Sequence, residues 1–202
     1  MKTSQLHAQK GFNLIELMFA ILIMAITVNF ATPAVQTFSE KNQLKQASER
    51  IYHFYRFARS EAIKQNSKLY LMYNDGANWS FGLSKSQNCI PTDLMTDPAP
   101  CKIDAASGAN DGSTVEIRKS VINGNPGSDY SGVSMSIVNG SGTAVALLEL
   151  ELDPVRGSST AAGIVLATAN GWKLKNTISP LGEIETCVPS GSPPIIGYRA
   201  CA

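Results

Sequence analysis

The sequence is short of charge and of histidine. Of its 202 residues only 16% are charged, two are histidines, and 17 basic side chains nearly balance 16 acidic ones. With 44% hydrophobic residues the chain is too apolar to be disordered, and its near-neutrality gives no sign of a polyanionic partner. Residues 1–11 contain Lys2 and Lys10 but no acid, so the rest of the chain has 15 basic and 16 acidic residues. A nucleic-acid role would therefore need a local basic patch.

The four cysteines include no C-x-x-C pair. Cys89 and Cys101 are 12 positions apart, Cys187 and Cys201 are 14 apart, and His53 is the only histidine beyond the first 11 residues. This spacing disfavours a zinc site. Four cysteines allow three pairings, of which the local one closes the shortest loops. We predict disulfides Cys89–Cys101 and Cys187–Cys201, an oxidising compartment, and neither a metal nor a cofactor.

The sequence also lacks a recognisable catalytic set. His53 falls on the polar side of a helical pattern, where a surface position is expected. Glu149 and Glu151 alternate with leucines, which is typical of a half-buried strand with a solvated face. No partner acid, base or pocket signal accompanies these residues. We therefore predict that the chain is not an enzyme.

A long apolar run follows a short basic segment. Residues 1–11 are polar and end in Gly11, whereas residues 12–31 are largely apolar. Twenty helical residues span about 30 Å, the thickness of a bilayer core. The run therefore predicts a membrane-spanning helix, and Pro33 is expected to kink it. The polar interruptions of the run are Asn13, Glu16, Thr27 and Asn29.

The helical pattern continues beyond Pro33 as an amphipathic stripe. Apolar residues recur there at steps of three and four, which is the period of one helix face. We predict a helix from Phe12 to about Gln65, whose second half packs against a domain. The predicted stripe consists of Val35, Phe38, Leu44, Ala47, Ile51, Phe54, Ala58 and Ala62.

The rest of the chain reads as strands joined by turns and loops. Asn-Asp-Gly at 74–76, Asn-Gly at 139–140 and Asn-Gly at 170–171 are strong turn signals. We predict an α+β fold: a long N-terminal helical spine with an apolar first half, and a C-terminal antiparallel sheet packed on its second half. The predicted strands cover 68–73, 79–83, 113–122, 133–138, 144–152, 163–168, 172–178 and 183–188, and the predicted loops 84–112, 123–132 and 189–197.

A carboxylate inside the apolar run needs an explanation. Secretory signal peptides carry no acid there and are removed with their apolar core. Gly-Phe-x-Leu-x-Glu at residues 11–16, followed by an apolar run, resembles the processing motif of type IV prepilins and pseudopilins. The resemblance implies that a prepilin peptidase removes residues 1–11 by cutting between Gly11 and Phe12, and that Phe12 is then N-methylated. It also implies a membrane or filament-core helix over 12–39 and a periplasmic domain over 40–202.

Glu16 then has a candidate partner in a neighbouring subunit. A buried carboxylate is costly, and an opposite charge stabilises it far more in a low dielectric than in water. The α-amino group of Phe12 in an adjacent subunit can supply that charge. We therefore expect Glu16 to direct assembly with other minor and major pilins through the N-terminal helix. The subunit would be a single-pass protein of the inner membrane before assembly and part of the pilus fibre or tip afterwards.

The second half of the chain carries a further resemblance. Residues 148–187 are similar to the core of the GspH/FimT-type minor pilin domain, with a D-P-x-R-G turn at 153–157 and a glycine-initiated last strand that ends in cysteine. This implies a FimU-like structural role in a pilus tip or priming complex that supports pilus assembly, and through it twitching, adhesion and natural transformation. Two alternatives stay open: a FimT-like DNA-binding competence pilin and an H-like minor pseudopilin of type II secretion.

One departure from the resemblance bears on DNA. FimT-like pilins that bind DNA carry Gly-Arg-x-Arg at the last strand, whereas residues 182–185 of this chain are Gly-Glu-Ile-Glu. Alternation places both glutamates on one face, where they would repel a phosphate backbone. DNA is therefore a possible but disfavoured partner. The candidates for weak DNA contacts are Lys173, Lys175 and Arg199.

Overall fold

The computed structural model describes residues 13–91, 101–105, 115–118, 120–122, 130, 132–155, 157–158 and 160–202. The chain divides into an N-terminal unit, Met1–Ser39, and a C-terminal unit, Glu40–Ala202. The described residues form one helix, α1 (Leu14–Gln65), and twelve strands. The strands are β1 (Leu69–Asn74), β2 (Ser80–Ser84), β3 (Lys102–Ala105), β4 (Val115–Arg118), β5 (Ser120–Ile122), β6 (Val133–Asn139), β7 (Ala144–Val145), β8 (Leu147–Asp153), β9 (Gly157–Ser158), β10 (Ala162–Thr168), β11 (Lys173–Ile178) and β12 (Ile184–Cys187).

Helix α1 ends where the sequence predicts. Asn66 takes a left-handed conformation with φ 46°, which asparagine tolerates better than most residues, and the Ser67 N–H donates to the Ala62 carbonyl at 3.2 Å. Lys64 lies in the last turn, where a cation favours the helix dipole. The helical periodicity of the sequence and the hydrogen bonds at the C-terminal cap therefore both place the end of α1 at Gln65.

The predicted stripe of α1 is confirmed from Leu44 onwards and is wrong before it. Val35 and Phe38 are 63% and 66% exposed, because they lie in the N-terminal unit, outside the core that the later stripe residues join. Phe54 is only partly buried, since Tyr55 takes the inward position beside it. His53 is exposed, as predicted. The fully buried stripe residues are Leu44, Ala47, Ile51, Ala58 and Ala62.

Two five-stranded antiparallel sheets take the place of the single predicted sheet. Sheet 1 has the strand order β5-β2-β1-β8-β9 and sheet 2 the order β12-β11-β10-β6-β7, while β3 and β4 pair separately. Three predicted turns are confirmed, because they join the antiparallel pairs β1–β2, β6–β7 and β10–β11. Gly171 in the β10–β11 turn has φ 82°, a conformation that glycine adopts without a steric penalty. The fold class is therefore α+β, as predicted.

The prediction of one sheet failed because two predicted strands divide. The stretch 144–152 separates at Ala146 into β7 of sheet 2 and β8 of sheet 1. The stretch 113–122 divides into β4, which pairs with β3, and β5, which pairs with β2. Strand β3 also lies inside a predicted loop. Of the loop predicted at 123–132, most residues lie outside the described ones.

A single core joins the helix to both sheets. The Phe54 ring of α1 lies 4.7 Å from the Phe81 ring of sheet 1. The Trp79 indole N–H donates to the Val133 carbonyl at 2.9 Å and thereby links the two sheets. The largest fully buried side chains include Trp79, Tyr55, Tyr73, Phe81, Leu44, Ile51 and Leu69.

Both predicted disulfides are confirmed, Cys89–Cys101 and Cys187–Cys201. Cys89 and Cys101 form a small buried cluster with Met72 of β1, apart from the main core. Met72 of β1 is buried in this cluster, whereas the neighbouring Leu71 and Tyr73 are buried in the main core, so β1 is covered on both faces. The Cys187–Cys201 bridge ties the end of β12 to the last residues of the chain.

Candidate functional site

The N-terminal unit exposes a continuous apolar surface around one acid. Helix α1 starts with the Glu16 and Leu17 N–H groups donating to the Asn13 carbonyl at 3.0 and 3.2 Å, so Glu16 lies in the first turn. A carboxylate is favourable there because the helix N-terminus is electropositive. Eleven large apolar side chains from Leu14 to Val28 are 51–76% exposed. We call these residues, with Glu16 among them, the apolar segment.

Of the other residues predicted to act in processing or in the helix kink, Gly11, Phe12 and Pro33, the structure places only Pro33 in an element. Gly11 and Phe12 lie outside the described residues, so the cleavage between them stays a prediction. Pro33 lies within the bounds of α1. The kink predicted at Pro33 also stays a prediction.

The sequence predicts a membrane-spanning helix over residues 12–39. Over the part of the chain that the structure describes, no helix combines the length and the apolar character that a membrane crossing requires.

The two lysines predicted to share a face do share one. Lys173 and Lys175 lie on the outer face of sheet 2, alternating with the buried Leu174 and Asn176. Gly163 of β10 makes room for the Lys175 stem, since a Cβ at Gly163 would lie 2.8 Å from the Lys175 Cε. Both lysines are partly exposed and therefore accessible to a ligand on that face.

Arg199 is not available as a free cation. Its guanidinium pairs with the Glu185 carboxylate of β12, with the Nε donating to Oε1 at 2.6 Å. The pairing of Arg199 with Glu185 was not predicted from the sequence. A signal was present: Glu185 and Arg199 each precede a cysteine of the same disulfide by two positions. The structure pairs Val188 with Ala200 in parallel, which sets this register.

The C-terminal loop packs on the polar side of α1. The Lys45 ammonium donates to the Ile196 carbonyl at 3.1 Å, and the Tyr198 hydroxyl donates to the Glu49 carboxylate at 3.4 Å. Partial burial raises the pKa of Tyr198, and the nearby negative charge of Glu49 raises it further. These contacts hold residues 195–201 beside the end of β12.

A cleft of about 580 Å³ separates α1 from the start of β12. Its helix wall carries two arginines and its strand wall two exposed glutamates, Glu183 and Glu185. The Arg59 guanidinium donates to the Gly182 carbonyl at 2.5 Å. The lining residues are Tyr52, Tyr55, Arg56, Arg59, Ser60, Ile63, Gly182, Glu183, Ile184 and Glu185.

Glu149 and Glu151, the other acidic pair noted in the sequence, form polar contacts on the surface of sheet 1. Glu149 accepts a hydrogen bond from the Asn88 N–H at 2.9 Å, and Glu151 forms an ion pair with Lys68 at 2.6 Å. Both glutamates are half-buried beside the buried leucines of β8, as predicted. The hydrogen bond and the charge of Glu151 raise the pKa of Lys68. Among the described residues, no group of three or more histidines, cysteines or acids could hold a metal ion.

Comparison with known proteins gives one partial relative. A protein of Haemophilus influenzae described as an uncharacterized protein is 35% identical over 66 residues, which are 33% of this chain and 39% of that protein. The match thus spans well under half of the relative's length. No model of a known protein family matches the chain, and no solved structure matches it.

Proposed function

We propose that this chain is a minor type IV pilin, a structural subunit of a pilus-tip or priming complex. The apolar segment carries the proposal, because its eleven exposed apolar side chains lie in the same helix as Glu16. Exposed apolar surface of this extent is typical of interaction sites, and its burial contributes about 25 cal/mol per Å². The inner membrane covers it before assembly, and the N-terminal helices of other pilins cover it afterwards.

Glu16 sets the position of the subunit in such a bundle. The carboxylate is poorly stabilised by apolar neighbours and well stabilised by the cleaved α-amino group of an adjacent subunit. An ion pair of this kind fixes the axial position of one N-terminal helix relative to its neighbour. The proposal therefore includes removal of residues 1–11 by a prepilin peptidase and methylation of Phe12.

The C-terminal unit supports a periplasmic and then surface-exposed location. Its two disulfides fit an oxidising compartment, and its core of α1 and two sheets lies within residues 40–202. The pairing of Arg199 with Glu185 removes one of three candidate DNA contacts, which favours the assembly role over DNA binding. The proposed subunit catalyses no reaction.

Substitution of Glu16 tests the proposal. Glu16→Val should reach the cell envelope at normal levels, because the apolar character of the segment increases. Its level in sheared pili should fall strongly, because the register pair is lost. Thr27→Val is the matched control, since it removes a polar group of the same segment. The Thr27 hydroxyl donates to the Met24 carbonyl of its own helix at 2.9 Å, so the variant should assemble normally.

Four results would contradict the proposal. Normal levels of Glu16→Val in sheared pili would remove the role of the carboxylate. Mass spectrometry of the envelope protein should find a methylated N-terminal Phe12, and an intact leader would contradict processing. Deletion of the gene should abolish surface pili; loss of DNA uptake with pili intact would indicate a competence pilin, and loss of exoprotein release a pseudopilin.

A further inference from the structure

Two of the predicted Asn-Gly turns hold their asparagine side chains in opposite ways. Asn139 is the last residue of β6, and Asn170 lies in the turn between β10 and β11. Among the described residues, the Asn139 amide is hydrogen-bonded through its oxygen and the Asn170 amide through its nitrogen. An asparagine that precedes glycine is able to cyclise on the next backbone nitrogen. The opposite contacts therefore give the two amides different reactivity.

Three donors converge on the Asn139 Oδ1. The Ser141 hydroxyl donates to it at 2.7 Å, the Thr143 N–H at 2.8 Å and the Ser141 N–H at 3.2 Å. Donors at such distances stabilise the negative charge that develops on a carbonyl oxygen when a nucleophile attacks its carbon. The Cγ of Asn139 is therefore activated towards attack.

The nucleophile is the backbone nitrogen of Gly140. Gly140 is exposed, and its N–H has no hydrogen-bond partner among the described residues. Glycine is required at this position, because a Cβ there would lie 2.9 Å from the Ala161 carbonyl oxygen. Neither a hydrogen bond nor a side chain on Gly140 hinders the attack of this nitrogen on the Asn139 Cγ.

The Asn170–Gly171 turn lacks both features. The Asn170 Nδ2 donates to the two oxygens of the Glu40 carboxylate at 2.9 and 2.7 Å, so the nitrogen that would leave is held in place. The Gly171 N–H donates to the Thr168 carbonyl at 3.1 Å, so the nitrogen that would attack is engaged. The same dipeptide is therefore protected in this turn.

We infer that Asn139 is a site of self-modification, at which the folded chain converts asparagine to aspartate and isoaspartate. The Gly140 nitrogen loses its proton to water and forms a bond to the Asn139 Cγ. The Cγ–Nδ2 bond then breaks, and Nδ2 takes up a proton and leaves as ammonia. Water opens the resulting succinimide at either carbonyl, so that the net reaction consumes water and releases ammonia. This inference does not depend on the proposed function.

The modification changes the tip of the β6–β7 hairpin. Either product places a carboxylate where the sequence has a neutral amide. Isoaspartate also adds a main-chain carbon between two hydrogen bonds of the hairpin, from the Asn139 N–H to the Thr143 carbonyl and from the Gly142 N–H to the Asn139 carbonyl, both 2.9 Å. The tip therefore loosens, and the modified fraction increases with the age of the molecule.

Peptide mass spectrometry of the full chain, kept folded in a mild detergent at mildly alkaline pH, tests the inference. Aspartate and isoaspartate should accumulate at Asn139 at least about tenfold faster than at Asn170. In urea the two sites should react at similar rates, because both precede glycine. Equal rates in the folded protein overturn the inference, and a tenfold difference that persists in urea overturns its structural cause.

Two variants of the hairpin tip test the role of the donors. Ser141→Ala removes the hydroxyl donor and should slow the reaction at Asn139 by about fivefold, less than in a buried oxyanion hole because water partly replaces the donor at an exposed tip. Thr143→Ala is the matched control, since the Thr143 N–H and both Ser141 donors remain, and it should react as the wild type does. An unchanged or faster reaction in Ser141→Ala would show that the donors restrain the amide and would overturn the inference.

Discussion

Asn176 of β11 and Ser48 of α1 hydrogen-bond to each other inside the core, with the Asn176 Nδ2 3.1 Å from the Ser48 Oγ. Both residues are fully buried. The Asn176 Oδ1 also accepts a hydrogen bond from the Thr186 hydroxyl of β12 at 2.6 Å. One amide thus connects the helix to two strands of sheet 2.

Asn176→Leu should lower the free energy of unfolding. The variant leaves the fully buried Ser48 hydroxyl and the partly buried Thr186 hydroxyl without their amide partner, and a fully buried unsatisfied group such as that of Ser48 costs about 1–3 kcal/mol. Urea denaturation followed by circular dichroism measures the change. Ser134→Ala removes an exposed hydroxyl of the same sheet and should change stability by less than about 0.5 kcal/mol. Equal stability of the two variants would contradict the role assigned to Asn176.

Tyr73→Phe should raise the free energy of unfolding. The Tyr73 ring is fully buried, and its hydroxyl has no hydrogen-bond partner among the described residues. Removing a buried group that lacks a partner relieves a desolvation penalty of about 1–3 kcal/mol. Tyr198→Phe is the control, because that hydroxyl bonds to Glu49 and its loss should not stabilise the protein. A lower denaturation midpoint for Tyr73→Phe would show that the hydroxyl is satisfied.

Stability should fall as the pH rises above about 10. Burial raises the pKa of Tyr73 well above the ordinary tyrosine value, so the unfolded chain loses the proton first. The contribution is fully present below the unfolded pKa and is lost as the pH rises towards the folded one. Urea midpoints at alkaline pH should therefore decline less steeply for Tyr73→Phe than for the wild type. The pKa values of Tyr198 and Lys68 are also raised, so the variant should keep part of the decline.

Each disulfide should stabilise the protein. The bridges join residues 12 and 14 positions apart, and closure of loops of this size is worth about 3 kcal/mol in the chain-entropy account. Replacing either pair by alanine should lower the urea midpoint. Replacement of Cys187 and Cys201 should also expose the C-terminal loop to protease, since that bridge fixes the loop beside β12. Replacement of Cys89 and Cys101 should not. Identical proteolysis of the two variants would contradict this difference.

Local patterns predicted most of the elements. The end of α1, the β1–β2 and β10–β11 hairpins and both disulfides follow from helical periodicity, from Asn-Gly-type turns and from loop length. The buried leucines of β8 follow from strict alternation. Each of these patterns is set by residues within about 15 positions of one another. Contacts with distant parts of the chain therefore left these predictions unchanged.

The failures have a common physical cause. Val35 and Phe38 fit the apolar period of α1, but no pattern within a helix states where its partner surface begins. The run from 144 to 152 is uniformly strand-like, and only pairing with two different sheets divides it at Ala146. The pairing of the candidate DNA residue Arg199 with Glu185 was not predicted, because the two residues meet through a parallel contact between β12 and the C-terminal loop, and no turn signal marks such a contact.

The change of sheet at Ala146 restricts where the chain can be lengthened. One residue separates β7 from β8, and the Ala146 carbonyl accepts a hydrogen bond from the Asp75 N–H at 3.0 Å. An added residue there would turn Leu148, Leu150 and Leu152 outwards, because strand faces repeat every two positions. An epitope for imaging the protein on cells is therefore better inserted at the exposed tip formed by Ser141 and Gly142, ahead of β7.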